Sequence, residues 1–361
     1  MNYSRRLQTL RSNLKLLKCD ALAVSHGTNV RYLSGFSGSA GMLLVTSDET
    51  IFLTDFRYRT QAQNEVGAHA RVVIAARGLW REAAKIIKKQ GISRVGFEAE
   101  HISVATWQEI KKLVEPKSQT IATQRAVENL RLFKDADELA IIRQAVQIAD
   151  ETMAEALELL RPGLSEREVA TAIENGVKKR GASGLSFETI VASGTRGALP
   201  HGVASDKILE TGDMITIDMG ARFQNYCSDM TRTVCLGKSN AKQREIYELT
   251  WRAQVAASKA LQPGLSCKAA DTIARQIIDD AGYKGAFGHG LGHGVGIDIH
   301  EAPRLSQLGK GTLEAGQIVT SEPGIYLADF GGVRIEDMLF ITENGAEVLT
   351  KTPKPEKLLE L

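Results

Sequence analysis

The chain has 361 residues, 43% hydrophobic and 24% charged, the make-up of a globular protein long enough for two domains. Its 45 basic and 43 acidic residues leave a formal charge of +2, so no long-range field draws it to nucleic acid or to a membrane surface. No apolar run reaches the length of a membrane span, and the charged start Met1-Asn2-Tyr3-Ser4-Arg5-Arg6 lacks a signal-peptide core, so a cytoplasmic protein is expected.

In chain order, residues 1 to about 125 read as an α/β unit. A helix is expected over residues 3–17, then a short apolar strand at 21–24. Strand-like runs at 41–46 and 50–54 flank the turn signal Ser47-Asp48-Glu49. Further strands are expected at 71–75 and 93–97. Between them, residues 79–90 have helical periodicity and stop at Gly91. Another helix, 104–114, stops before Pro116. The charge-rich stretch 125–137 is the candidate boundary. Beyond it a long amphipathic helix, 137–160, is broken by Arg161-Pro162-Gly163. A second helix covers 165–180, with Ser165 and Glu168 in capping-box spacing. An equivalent pair is expected at 243–261 and 266–281. Cys19, Cys227, Cys235 and Cys267 show no Cys-x-x-Cys spacing and read as reduced, mostly buried thiols.

The C-terminal part repeats itself. Leu160-Arg161-Pro162-Gly163-Leu164-Ser165 returns as Leu261-Gln262-Pro263-Gly264-Leu265-Ser266. His201-Gly202-Val203 returns as His293-Gly294-Val295. Leu209-Glu210-Thr211-Gly212, leading to Asp218-Met219-Gly220, returns as Leu313-Glu314-Ala315-Gly316, leading to Glu322-Pro323-Gly324. Two copies are too few for a solenoid, so a closed, paired domain is expected, with helix pairs outside and sheet inside: an α+β fold. Each copy adds a further acid, Asp229 in the first and Glu336 in the second.

Asp218 ends the apolar run Met214-Ile215-Thr216-Ile217, and Asp229 opens the next strand 11 residues on. That spacing suits two carboxylates on neighbouring hairpin strands, pointing to one side. Facing acids in an apolar sheet repel and cost desolvation, and a cation is the usual compensation. The segment 288–296, with His289 and His293, is too glycine-rich for a helix. It matches neither a dinucleotide fingerprint nor a P-loop, and no Gly-x-Ser-x-Gly or His-Glu-x-x-His occurs. Four carboxylates and one imidazole, without sulfur, suit Mn²⁺ or Co²⁺, with two ions bridged by shared carboxylates.

These residues resemble the metallopeptidase superfamily of methionine aminopeptidase, aminopeptidase P and prolidase. Tyr32-Leu33-Ser34-Gly35-Phe36 and Thr54-Asp55-Phe56-Arg57-Tyr58 resemble the creatinase-type N-terminal domain of its Xaa-Pro members. The resemblance implies such a domain at residues 1–127 and a duplicated pita-bread catalytic domain at 128–361. It further implies that Asp218 binds one metal, that His293 and Glu322 bind the other, and that Asp229 and Glu336 bridge them. Glu322 would accept a proton. His201 and His300 would hold the carbonyl and gem-diolate oxygens, and His289, Arg334 and Tyr326 would line the substrate pocket. Arg334 could meet a substrate carboxylate. For Asp55, Arg57 and Tyr58 a structural part at a strand end is as good a reading as a functional one.

The implied activity is hydrolysis of the bond between an N-terminal residue and proline in peptide substrates, with a homodimer expected. An Xaa-Pro aminopeptidase acting on tripeptides and longer chains is the first expectation, because residues 32–36 and 54–58 resemble aminopeptidase-P-type sequences and no insertion offers a lid. An Xaa-Pro dipeptidase (prolidase) is the alternative. Creatinase-like chemistry is disfavoured by the complete ligand set. A non-catalytic relative would show substituted ligands and basic extensions, and neither is present.

Overall fold

In the computed structural model, which describes residues 1–361, the chain divides after Arg131 into two units. The first is built on a six-stranded mixed sheet in the order Arg71–Ile74, Thr50–Thr54, Gly41–Thr46, Ala21–Val24, Arg94–Glu98, Gln119–Thr123. Every residue of Ala21–Val24 and Thr50–Thr54 is buried, and all but the first of Gly41–Thr46, so these strands are covered on both faces. The first helix stops at Asn13 rather than at 17, because the chain turns back there and Lys18 takes a left-handed conformation.

Two helices and a strand in this unit have no local signal. Helix Gly27–Ser34 ends on a left-handed Gly35 but has no side-chain cap at its N-terminus. The buried Glu98 carboxylate, at the end of the neighbouring strand, holds the residues that lead into it, accepting Ser25 N (2.7 Å) and His26 N (2.8 Å). Helix Arg59–Val66 and the edge strand Gln119–Thr123 were also absent from the sequence expectations. The short helix Glu128–Arg131 belongs to this unit: Asn29 Nδ2 donates to Glu128, and Arg131 donates to Asn29 Oδ1.

In the second unit the duplication is visible as two helix pairs, Ala136–Leu159 with Glu166–Lys179 and Ala241–Ala260 with Cys267–Ile278. Capping boxes at Asp135, Ser165 and Asn240 start three of the four. The last helix ends at Ile278, short of 281, in a wide turn through Gly282 at φ 90°. Each pair covers its own core. The first packs Ile148, Met153, Val169 and Ile173 against Ile215, Ile217 and Met219; the second packs Ile246, Ala253 and Ala274 against Val319, Leu339 and Ile341.

Both cores lie behind antiparallel sheets. The first copy has the order Met230–Cys235, Met214–Met219, Ile190–Ser193, with a smaller sheet of Tyr226–Cys227, Ala221–Phe223 and Gly184–Leu185. The second has Glu301–Leu305, Gly292–Gly294, Ile318–Ser321, Asp337–Thr342, Gly345–Val348, with the ribbon Gly324–Leu327 and Gly331–Arg334 beside it. The copies meet where Glu336 N donates to Thr231 O (3.1 Å) and Arg334 N to Thr233 Oγ1 (3.2 Å). All four cysteines are buried free thiols. No helix is long and apolar enough to cross a membrane.

Candidate metal centre

The four acids converge through strand register. Asp218 pairs with Thr231 across the first hairpin, so Asp229, two residues before Thr231, lies diagonally across on the same face. In the second hairpin Ser321 pairs with Asp337, and the next step of that register sets Glu322 opposite Glu336. Thr231 binds the copies together here: its hydroxyl donates to Glu336 Oε2 (2.7 Å) and accepts from Arg334 Nε (3.1 Å).

His293 comes from strand Gly292–Gly294, not from a flexible turn. A Cβ at Gly292 would sit 2.1 Å from Thr320 O, and one at Gly294 2.1 Å from Ala302 O, so only glycine lets the strand seat beside its neighbours. The His293 Nδ1 lies 3.0 Å from Gly294 O, which fixes the proton there and leaves the Nε2 lone pair free. That Nε2 is 3.5 Å from Asp229 Oδ2 and 3.4 Å from Glu322 Oε1. Ligand atoms of Asp229, His293 and Glu336 all lie within 4.8 Å of one another.

The electrostatics of this cluster suit a cation. Burial first, then the neighbouring carboxylates, push Asp229 and Glu336 well above the usual carboxylate range. Burial pushes Glu322 up to about 8, and pushes His293 down to about 4. Asp218 Oδ1 is buried with no hydrogen-bond partner. An orphaned oxygen, a free imidazole lone pair and surplus buried negative charge are what divalent cations would satisfy, so these residues fit a metal centre.

Side chains around the cluster bind its acids and one another. Arg334 is buried, with Nη2 on Asp218 Oδ2 (2.7 Å) and Nη1 on Tyr326 OH (2.9 Å) and Pro200 O (3.1 Å). The Tyr326 hydroxyl also meets His289 Nε2 at 2.8 Å. Burial holds His289 down to about 4 and Tyr326 up to about 12. Phe287 packs edge-on against His289, 5.0 Å between ring centres. His201 and His300 are exposed, and the His300 ring stands edge-on to His293 at 4.4 Å. Burial and the charge of Arg304 both hold His300 below the usual imidazole range.

The expectation that Arg334 reads a substrate carboxylate does not suit its full set of partners. Arg304 went unnoticed in the sequence. It pairs with His293 across strands, is exposed, and its guanidinium has no partner. Only the register places it there, since nothing in Glu301-Ala302-Pro303-Arg304 marks it.

In the N-terminal unit Asp55 caps its own turn, accepting Arg57 N, Nε (both 3.0 Å) and Nη2 (2.8 Å), while Tyr58 OH meets Ser39 Oγ at 2.7 Å. These are local contacts. A second group of possible ligands, His26, His101 and Glu128, is not read as a centre. The two imidazoles stack plane on plane (3.7 Å, 4°), so their lone pairs run side by side instead of converging.

An acid-rich site with one imidazole, assembled from two copies of one fold unit, defines a metallopeptidase of the pita-bread kind. Residues 140–343 match the model of metallopeptidase family M24, and residues 6–133 that of the creatinase/prolidase N-terminal domain. The chain belongs to metallopeptidase family M24 and is a metallopeptidase. It is 41% identical over 337 residues to the Xaa-Pro dipeptidase of Pyrococcus furiosus, covering 93% of this chain and 94% of that one. The structure of an Xaa-Pro dipeptidase from Bacillus anthracis is similar along the whole of both chains, with 40% identity and a TM-score of 0.97. The X-Pro aminopeptidase from Thermotoga maritima is 34% identical, with a TM-score of 0.88, over 97% of this chain and 100% of that one.

Proposed function

We propose that the protein is an Xaa-Pro dipeptidase that uses two divalent ions, Mn²⁺ or Co²⁺. The first expectation, an aminopeptidase for longer peptides, gives way to its alternative. Arg304 is the observation that carries the choice: a solvent-facing cation beside His293 and His300, free to meet the carboxylate of a C-terminal proline. The extent of similarity to the Xaa-Pro dipeptidases supports the same reading.

Asp218, Asp229, His293, Glu322 and Glu336 would hold the ions, with Asp229 and Glu336 shared. When bound, the ions supply Lewis acidity and a water-derived nucleophile near neutral pH. The oxygen-rich, sulfur-free donor set suits the metals named. A homodimer, as the resemblance implies, and the cytoplasmic location expected from the charged N-terminal residues and unpaired cysteines complete the proposal.

Proline makes the scissile amide tertiary, without an N–H. In the proposed mechanism Glu322 takes a proton from the attacking water at Oε2. Its Oε1 is engaged by Thr320 Oγ1 at 3.2 Å. The proton then goes to the proline nitrogen as that bond breaks. His201 and His300, exposed beside the carboxylates, hold the carbonyl oxygen as charge develops on it. His289, backed by Phe287 and Tyr326, forms an apolar, neutral wall for the proline ring.

The test compares kcat/KM for an Xaa-Pro dipeptide with that for the same sequence extended by several residues. A fall of several orders of magnitude on extension is expected, and Arg304→Ala should narrow the gap by weakening the dipeptide. Equal rates on both substrates would return the assignment to an aminopeptidase.

A further inference from the structure

Each copy of the catalytic unit holds its histidine-bearing loop with a fully buried carboxylate on the second helix of its pair. In the first copy it is Glu166. Its Oε1 accepts Ser193 N and Ser193 Oγ, both at 2.8 Å. Its Oε2 accepts Ser205 N at 3.0 Å, Ser205 Oγ at 2.7 Å and the guanidinium of Arg196. Arg196 in turn donates to Val203 O at 2.8 Å. Ser193 and Ser205 are the two ends of the loop that carries His201. Its middle is held by Arg334 on Pro200 O.

In the second copy the carboxylate is Asp271. It accepts Leu291 N at 3.0 Å and the Gln307 side-chain amide, and takes Arg275 in a bidentate pair, Nε at 2.8 Å and Nη2 at 2.9 Å. Arg275 passes the restraint on, donating to Phe287 O (2.6 Å) and His289 O (2.7 Å). The loop so fixed carries His289 and leads into His293.

The two devices are not copies of one another. Under the offset of 101 between the repeats, Glu166 corresponds to Cys267 and Asp271 to Ala170. The same arrangement was therefore reached from different residues. Buried ion pairs give little stability over apolar packing of the same volume. What a carboxylate with four or five donors does give is a single loop geometry.

We infer that Glu166 with Arg196, and Asp271 with Arg275, are positioning residues that set His201 and His289 against the substrate. This rests on the reading of those histidines as substrate-facing groups. Glu166→Gln keeps the shape but turns one of the two acceptor oxygens into a donor, facing either Ser193 or Ser205 and Arg196. It should lower kcat by roughly 10- to 100-fold, as removal of other orienting partners does, at unchanged metal content and KM.

The decisive measurement is a double-mutant cycle on the metal-loaded enzyme, with folded fraction and metal content checked for each variant. Because the clamp acts through His201, Glu166→Gln should cost less than about twofold once His201→Ala is present. Asp271→Asn with His289→Ala should behave alike. Losses that multiply, with His201→Ala itself impaired, would overturn the clamp and leave the histidine assignment standing. If His201→Ala keeps wild-type turnover, the histidine assignment fails instead. The clamp is then judged by hydrogen exchange of residues 194–205, and amides no faster in Glu166→Gln than in wild type would overturn it as well. Should a carboxylate variant fail to fold, Ser205→Ala and Arg275→Lys enter the same cycles, with several-fold effects expected and the same criteria.

Discussion

The first copy of the catalytic unit is a tight hairpin with two aspartates; the second carries two glutamates and the imidazole that the first copy does not place among the ligands. In the first hairpin the acids lie diagonally across a regular ladder, Asp218 opposite Thr231. In the second they fall just beyond the last paired residues, Ser321 and Asp337. The longer side chains there leave room for a glycine-flanked strand to bring His293 between the hairpins. A duplicated scaffold has thus been given unequal work. One half presents a rigid pair of short carboxylates, and the other adapts around it.

That comparison breaks first at the shared acids, one from each copy. Asp229→Ala or Glu336→Ala should cost turnover more than about 100-fold, beyond the usual cost of losing an orienting partner, and should lower bound metal. Elemental analysis beside kcat checks this. Wild-type turnover and metal content in either variant would mean that the two halves do not share a centre.

Two threonines sharpen it further. Thr231 serves Glu336 of the opposite copy and also accepts Arg334, whereas Thr320 serves Glu322 (3.2 Å) and His293 N (3.1 Å) within its own. Thr231→Val and Thr320→Val should each weaken metal affinity by about 10- to 100-fold, read by competition with a chelator. Thr231→Val should be the worse, because it cuts the link between copies.

The smallest effect is on pH dependence without metal. Glu322, raised to about 8, holds a proton in the folded chain that the unfolded chain releases above its ordinary 4.5, so its contribution to stability falls as pH rises from 4.5 to 8. His289 and His293, lowered to about 4, refuse a proton that the unfolded chain takes up below 6.5. Their contribution is lost as pH falls from 6.5 to 4. The opposing windows overlap from 4.5 to 6.5 and offset each other there, so metal-free protein should lose stability from pH 6.5 to 8, and adding Mn²⁺ should flatten that alkaline loss by replacing the proton on Glu322. Thermal unfolding at several pH values checks it; parallel profiles with and without metal would count against Glu322 as a ligand.

The sequence by itself determined the duplication, the helix pairs and the family, because those rest on local patterns. Capping boxes such as Ser165 to Glu168, and apolar runs such as 214–217, are set by neighbours within a few residues. Helix Gly27–Ser34 was not legible, since the residues leading into it are held by Glu98, more than 70 positions away on the neighbouring strand. Nor could residue types alone say that Arg334 is consumed by Asp218, Tyr326, Thr231 and Pro200, or that Arg304 stands free beside His293. The carboxylates of Glu166 and Asp271 read as ordinary helix acids until the fold buries them among loop donors. Partnership and burial come from strand register and from segments far apart in the chain, and those only the tertiary structure decides.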